Sequence, residues 1–211
     1  MSDARLRELE RRFQASGQLA DEVAWLIERL RAGVLREERL RQAAHVGHAA
    51  ARAVLGEGSA PPLPASERWH DMHPWARAFR AWDRPAALRV ALAAVETAWR
   101  RWEPRFTPAN GDAIRAWLRA GRECAECPCP AHERAARQAA DRLVVPDEVP
   151  PGGGYVLDAA GSVARLAAGE PFWVGCIANS RRGPDGALIA PEMMAAIRDQ
   201  AGGWLLYGEP G

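Results

Sequence analysis

In REERLRQAAHVGHAAARAVLG, residues 36–56, two short helical patterns meet at an Ala-Ala-His-Val-Gly-His junction. Ala43, Ala44, Ala49, Ala50, Ala51 and Ala53 keep both helix surfaces thin, so two backbones can approach closely and bury area without long side chains between them. Gly47 is suited to the left-handed conformation that ends a helix, and His48 opens the next. A tight helical hairpin is therefore expected here. Leu35, Leu40, Val54 and Leu55 supply its larger apolar contacts.

Toward the N-terminus the same grammar continues. Leu6, Leu9 and Phe13 recur on one face and Gly17 stops the pattern, which predicts an amphipathic helix over residues 3–15. Val23, Leu26, Ile27 and Leu30 form the stripe of a second helix over residues 19–32. Asp21 and Glu22 lie near its positive end, Arg29 and Arg31 near its negative end, and Gly33 follows. Residues 1–56 thus read as helical hairpins whose short turns force neighbours to run antiparallel.

Within this region, residues 40–56 resemble the Sel-type tetratricopeptide-like helical repeats. The matching pattern is Ala43, Ala44, Gly47, His48, Ala51, Leu55 and Gly56. A full array should recur at a period of roughly 33–40 residues. No second copy is found, so the match implies one repeat-like hairpin inside a helical domain.

The stretch GEGSAPPLPA, residues 56–65, is a linker that no helix could cross. Beyond it, residues 66–145 read as a Trp-rich helical bundle, forming one domain with residues 1–56. Trp69, Trp75, Phe79 and Trp82 concentrate aromatic area after Ser66. Asp83 opens a long helix with Leu88, Leu92, Val95, Trp99 and Trp102 as its core stripe. Asn110 is read as the cap of a helix over residues 111–120, and Pro130 as the start of another over 131–143. Residues 85–143 are similar to helical immunity proteins of bacterial polymorphic toxin systems. That resemblance rests on Trp102, Glu103, Pro108, Ala113, Ile114, Ala116 and Trp117. It implies a helical fold and a protein partner.

A second linker, PDEVPPGGG, ends at residue 154, and the pattern then changes. Residues 155–166 read as two short strands about a Gly-Ser turn, residues 172–177 as a central strand, 191–200 as a helix and 204–207 as a closing strand. The expected fold is therefore mainly α: a helical bundle or helical-hairpin array with a small C-terminal α+β subdomain over residues 155–211.

Composition narrows the function. The 28 basic residues are all arginine and face 27 acidic ones, so a net charge of +1 provides no field to gather nucleic acid or an anionic membrane. The abundance of arginine and alanine, both with GC-rich codons, points to a bacterium with a GC-rich genome. No apolar run approaches the ~18 residues of a membrane span, and the N-terminus lacks the apolar core of a secretion signal. A cytoplasmic location is expected, where the four cysteines are thiols or metal ligands and not disulfides.

The sharpest chemical feature is Cys124-Ala-Glu-Cys127-Pro-Cys129-Pro-Ala-His132. Three thiolates and an imidazole form a chemically sound zinc set. The spacing is cramped, however, since all four candidates fall within nine residues. The expectation is accordingly reduced cysteines in a rigid helix-to-helix loop and no cofactor, with zinc at Cys124, Cys127, Cys129 and His132 as the alternative. Cys176, followed by Asn179 and Ser180, is a candidate nucleophile if a histidine reaches it, against the plainer reading of a buried structural thiol. Nucleophile-elbow, phosphate-loop and metalloprotease motifs do not occur in the sequence. The sequence favours a non-enzymatic protein-binding module, an immunity or adaptor component of a toxin or defence system. A small cysteine-dependent enzyme or a zinc-dependent regulator is the alternative.

Overall fold

The computed structural model describes residues 3–66, 68–142, 144–171 and 175–208. These residues are mainly helical and divide into two compact units. One comprises residues 1–63 and 198–211, the other residues 64–197. Among the described residues, no helix is long and apolar enough to cross a membrane.

In the first unit, α1 (Asp3–Ser16), α2 (Leu19–Arg31), α3 (Glu37–His45) and α4 (Ala49–Leu55) follow one another through short turns. Gly17, Gly33 and Gly47 take positive φ at those turns, the conformation that releases a chain from a helix without a Cβ penalty. Helix α2 packs on α1 and α4, and α3 packs on α4. Ala43, Ala44, Ala50 and Ala51 are fully buried in the hairpin while Ala49 and Ala53 face solvent.

The tail completes this unit. Its α-helical turn, Gly203–Tyr207, packs on α3. The ring of Tyr207 stacks on Trp25 at 5.4 Å, and Trp25 stacks on Phe13 at 5.5 Å. Arg29 lies 4.9 Å from the centre of the Trp25 ring and donates to the carbonyl of Leu206. Arg39 stands 4.8 Å over Trp204. Each guanidinium therefore meets an electron-rich ring face, a contact worth about 0.5–2 kcal/mol according to its desolvation.

The second unit is built on α5 (Trp69–Arg77), α6 (Arg84–Trp102), α7 (Pro108–Glu126), α8 (Pro130–Ala140), α9 (Gly154–Ala167), α10 (Gly175–Asn179) and α11 (Ala190–Ala196). Helices α6, α7 and α9 pack mutually, α8 lies against α7 and α9, and α11 against α6. The expected α6 stripe is buried at Leu88, Leu92, Val95, Trp99 and Trp102, and Asp83 caps the helix by accepting from the Ala86 amide at 3.0 Å. Trp75, Phe79 and Trp82 make edge-on ring contacts, whereas the side chain of Trp69 lies outside the described residues.

Helix α7 starts earlier and ends later than residues 111–120. Thr107, not Asn110, is its cap and accepts from the Asn110 amide, with Pro108 in the first turn where its missing N–H costs nothing. Asn110 instead pairs both ways with the backbone of Val145, at 3.2 and 3.1 Å. The helix then runs straight through Gly121. A Cβ there would stand 2.4 Å from Cγ1 of Val163 and 3.1 Å from Cδ2 of Leu92. Gly121 is thus where α7 touches its neighbours, and it does not stop the helix.

Among the described residues the expected α+β subdomain is not found. Residues 155–166, read as two strands, lie within the single helix α9, because Val156, Ala159, Ala160, Val163, Ala164 and Ala167 recur at helical spacing and are all buried. The Ser162 hydroxyl donates to the Asp158 carbonyl at 2.7 Å, so the polar half of the supposed Gly-Ser turn is satisfied inside the helix. Of the supposed central strand, residues 172–174 lie outside the described residues and the following segment begins α10. The closing strand is the helical turn Gly203–Tyr207, and α11 passes into a π-helical turn, Ile197–Gly202. Among the described residues the β pairing is the isolated antiparallel bridge between Arg182 and Leu188.

Candidate functional site

The cysteine loop joins α7 to α8. Cys127 is the residue at which α7 ends, with its amide still bonded to the Glu123 carbonyl at 2.9 Å. Cys129 is the N-cap of α8, and Pro130 occupies its first turn. Between them Pro128 fixes a tight bend, across which the Cys129 amide donates to the Cys127 carbonyl at 2.8 Å. The same carbonyl receives His132 Nδ1 at 2.8 Å. A carbonyl oxygen can only accept, so Nδ1 carries the proton of the neutral ring and Nε2 keeps the lone pair.

This bend gathers three of the four residues singled out in the sequence. Ligand atoms of Cys127, Cys129 and His132 all lie within 4.8 Å of one another. In a tetrahedral zinc site, sulfurs bonded at ≈ 2.3 Å stand about 3.7 Å apart. Cys127 is exposed while Cys129 and His132 are half-buried. The imidazole already has the outer hydrogen bond that commonly orients a metal-binding histidine.

Cys124 does not join them. Helix α7 continues through Glu126, and its inward face carries Gly121, Cys124 and Ala125 into the core. Cys124 is only 1% exposed, and burial pushes its thiol up to about 11. It is a packing residue in this arrangement. Cys176 sits in α10 at 2% exposure, with burial pushing its thiol up to about 12. At neutral pH it is protonated, whereas attack on an electrophile needs the thiolate. Ser180 donates to the Cys176 carbonyl at 2.7 Å, so its hydroxyl serves the backbone.

The two loop thiols differ from these buried ones. The backbone amide of His132, together with that of Ala131 and the Cys127 thiol, favours a thiolate at Cys129 and moves its pKa down. Cys127 moves up, because its thiol donates to Cys129 and because charge on Cys129 disfavours a second negative charge beside it. The hydrogen bond to the Cys127 carbonyl raises the pKa of His132, with further help from the Cys129 charge. The loop therefore presents two thiols, of which Cys129 ionises the more readily, and one imidazole together at the surface. Such a set binds soft or borderline divalent metals.

A separate titratable cluster was invisible in the sequence. In the first unit, Glu22 accepts the Tyr207 hydroxyl and stands 3.5 Å from His48 Nε2. No spacing rule links residues 22, 48 and 207, so only the fold could reveal them. Burial, and then Glu22, keep the Tyr207 phenol protonated far above its ordinary range.

Comparison of the chain with protein-family models, curated proteins and solved structures gives no match.

Proposed function

We propose that this protein is a zinc-dependent interaction module, in which Cys127, Cys129 and His132 hold one zinc ion and a side chain of a partner protein completes its coordination. The observation that carries this reading is the convergence of three ligand atoms within 4.8 Å on a loop held at both ends by helices. Structural zinc sites are closed by four protein ligands, while three-ligand sites keep a position open. Cys124, the obvious fourth ligand in the sequence, is turned into the core. The open position would face solvent beside Cys127, where a histidine, cysteine or carboxylate of another chain can reach it. Such a module suits an immunity or adaptor component of a bacterial toxin or defence system, whose task is to recognise one protein.

The test begins with protein purified without a histidine tag. Elemental analysis should give zinc near one equivalent, and cobalt(II) substitution should give thiolate-to-metal absorption. That signal should vanish in Cys129→Ser and His132→Gln and persist in Cys124→Ser. Imidazole added as a mimic of the partner's ligand should perturb the cobalt spectrum. Absence of cobalt binding in the reduced protein would overturn the metal site, and a spectrum indifferent to added ligand would overturn the open position.

A further inference from the structure

Of the four cysteines, Cys124 and Cys176 are buried, whereas Cys127 is exposed and Cys129 half-buried. The latter pair is the one that a reagent arriving from solvent can meet. They flank Pro128, with Cys127 as the C-cap of α7 and Cys129 as the N-cap of α8. The Cys129 amide donates to the Cys127 carbonyl at 2.8 Å, a hydrogen bond between residues two apart that closes a γ-type turn around the proline. With ordinary bond lengths, that contact keeps the two Cα atoms within about 6.7 Å of each other. A disulfide spans about 4.4–6.8 Å between Cα atoms. The side chains also face each other, because the Cys127 thiol donates to the Cys129 sulfur.

We propose that this loop is a peroxide-responsive dithiol switch, in which hydrogen peroxide oxidises Cys127 and Cys129 to an intramolecular disulfide and thereby releases the zinc ion. The release step rests on the zinc site proposed for the same residues; the disulfide does not. One sulfur attacks an oxygen of the peroxide, the O–O bond breaks, and the departing oxygen leaves as water, so that a sulfenic acid forms. The second sulfur then attacks the sulfenic sulfur and displaces its hydroxyl as another water, forming the S–S bond. The two sulfurs together lose two electrons, which the peroxide gains. In the metal-free loop the two thiol hydrogens enter the waters; in the zinc form solvent supplies those protons and the ion leaves as Zn²⁺.

The disulfide removes two of the three ligand atoms gathered at the bend. His132 remains as a single protein ligand, where a zinc centre takes three or four. A partner held through the ion is therefore let go on oxidation. Cys124 and Cys176 do not compete for the bond, being 1% and 2% exposed within the core. A disulfide at an exposed bend belongs to the readily reduced class, so a thiol reductant restores the metal-binding loop.

The experiment treats the whole chain, metal-free and zinc-loaded, with stoichiometric hydrogen peroxide. The metal-free chain should lose two hydrogens in intact mass, with peptide mapping placing the bond between Cys127 and Cys129, and dithiothreitol should restore the mass. Cys124→Ser should behave in the same way, whereas Cys127→Ser should form no intramolecular bond. In the zinc-loaded chain a chromogenic chelator should register zinc release in step with the disulfide. A bond to Cys124, linkage between two chains, or sulfinic acid without a disulfide would overturn the switch, as would zinc that stays bound once the disulfide is complete. Failure of the zinc reading has a different signature: the reduced chain takes up no metal, yet the metal-free chain still closes the disulfide.

Discussion

The carbonyl oxygen of Cys127 is bonded to Nδ1 of His132 at 2.8 Å, so the C-cap residue of one helix orients the imidazole in the first turn of the next. If that bond positions a metal ligand, the loop geometry contributes as much as the ligand identities. Cys127→Ser and His132→Gln should each lower cobalt(II) affinity by at least tenfold, the order expected when a ligand or its outer partner is lost. Cys124→Ser should leave the affinity unchanged while lowering stability by about 1–3 kcal/mol, since it buries a hydroxyl in an apolar place. A competition titration with a chromogenic chelator measures the first, and urea unfolding the second. Equal loss of affinity in Cys124→Ser would return that residue to the site.

Gly121 gives a packing prediction with an internal control. Gly121→Ala places a methyl group 2.4 Å from Val163 and should destabilise the protein by about 1–3 kcal/mol through overpacking. Gly154 begins α9, has open space around its Cβ position and lacks a positive φ. Gly154→Ala should therefore be neutral or stabilising by up to about 1 kcal/mol. Chemical denaturation of the two variants beside the parent decides the matter. Equal midpoints would mean that α7, α6 and α9 do not meet closely at Gly121.

His48 gives a pH dependence. Its Nδ1 is buried without a hydrogen-bond partner, and the ring faces Glu22 and Tyr207 from two other helices, with Asp199 and Arg198 nearby. Burial lowers its pKa from the usual 6.5, and the nearby Arg198 adds to this against the opposing carboxylates. The folded state then binds fewer protons than the unfolded chain below that value. Its contribution is whole above about pH 6.5 and is lost as pH falls through the folded pKa, each tenfold difference in proton affinity being worth about 1.4 kcal/mol. Thermal melts between pH 7 and pH 5 should fall more steeply for the parent than for His48→Gln. Parallel slopes would defeat this assignment.

Truncation tests the organisation of the chain. Taken from sequence alone, residues 1–145 should fold unaided, because every helix in that span has an apolar stripe and a neighbour. In the structure both units draw on later residues. Helix α9 packs against α6, α7 and α8, and the turn Gly203–Tyr207 packs against α3 and covers Trp25. The expected outcome is that residues 1–145 bind hydrophobic dyes and melt without cooperativity, and that a chain ending at Gly202 exposes Trp25, seen as a red shift in its fluorescence. A sharp melt of the 1–145 fragment would restore the simpler view.

The sequence by itself determined the features that are local. Gly17, Gly33 and Gly47 end helices because positive φ is cheap only for glycine, and Asp83 caps α6 because its carboxylate reaches the Ala86 amide three residues on. The α6 stripe was legible for the same reason, since a sustained 3-and-4 spacing has only one face to bury. Residues 155–166 carry an equally local signal that could be read two ways, as a Gly-Ser turn between strands or as a small-residue helix. Burial of Val156, Ala160, Val163 and Ala164 against remote helices chose the second. Tertiary structure likewise carried α7 through Gly121, and that continuation turned Cys124 inward and left Cys127 at the bend with Cys129 and His132. It also joined Tyr207 to Trp25 and Glu22, residues too far apart in the chain for any local pattern to link them. Hydrogen bonding and backbone preference act over a few residues, whereas the burial that settled these points is between segments that meet only in the folded chain.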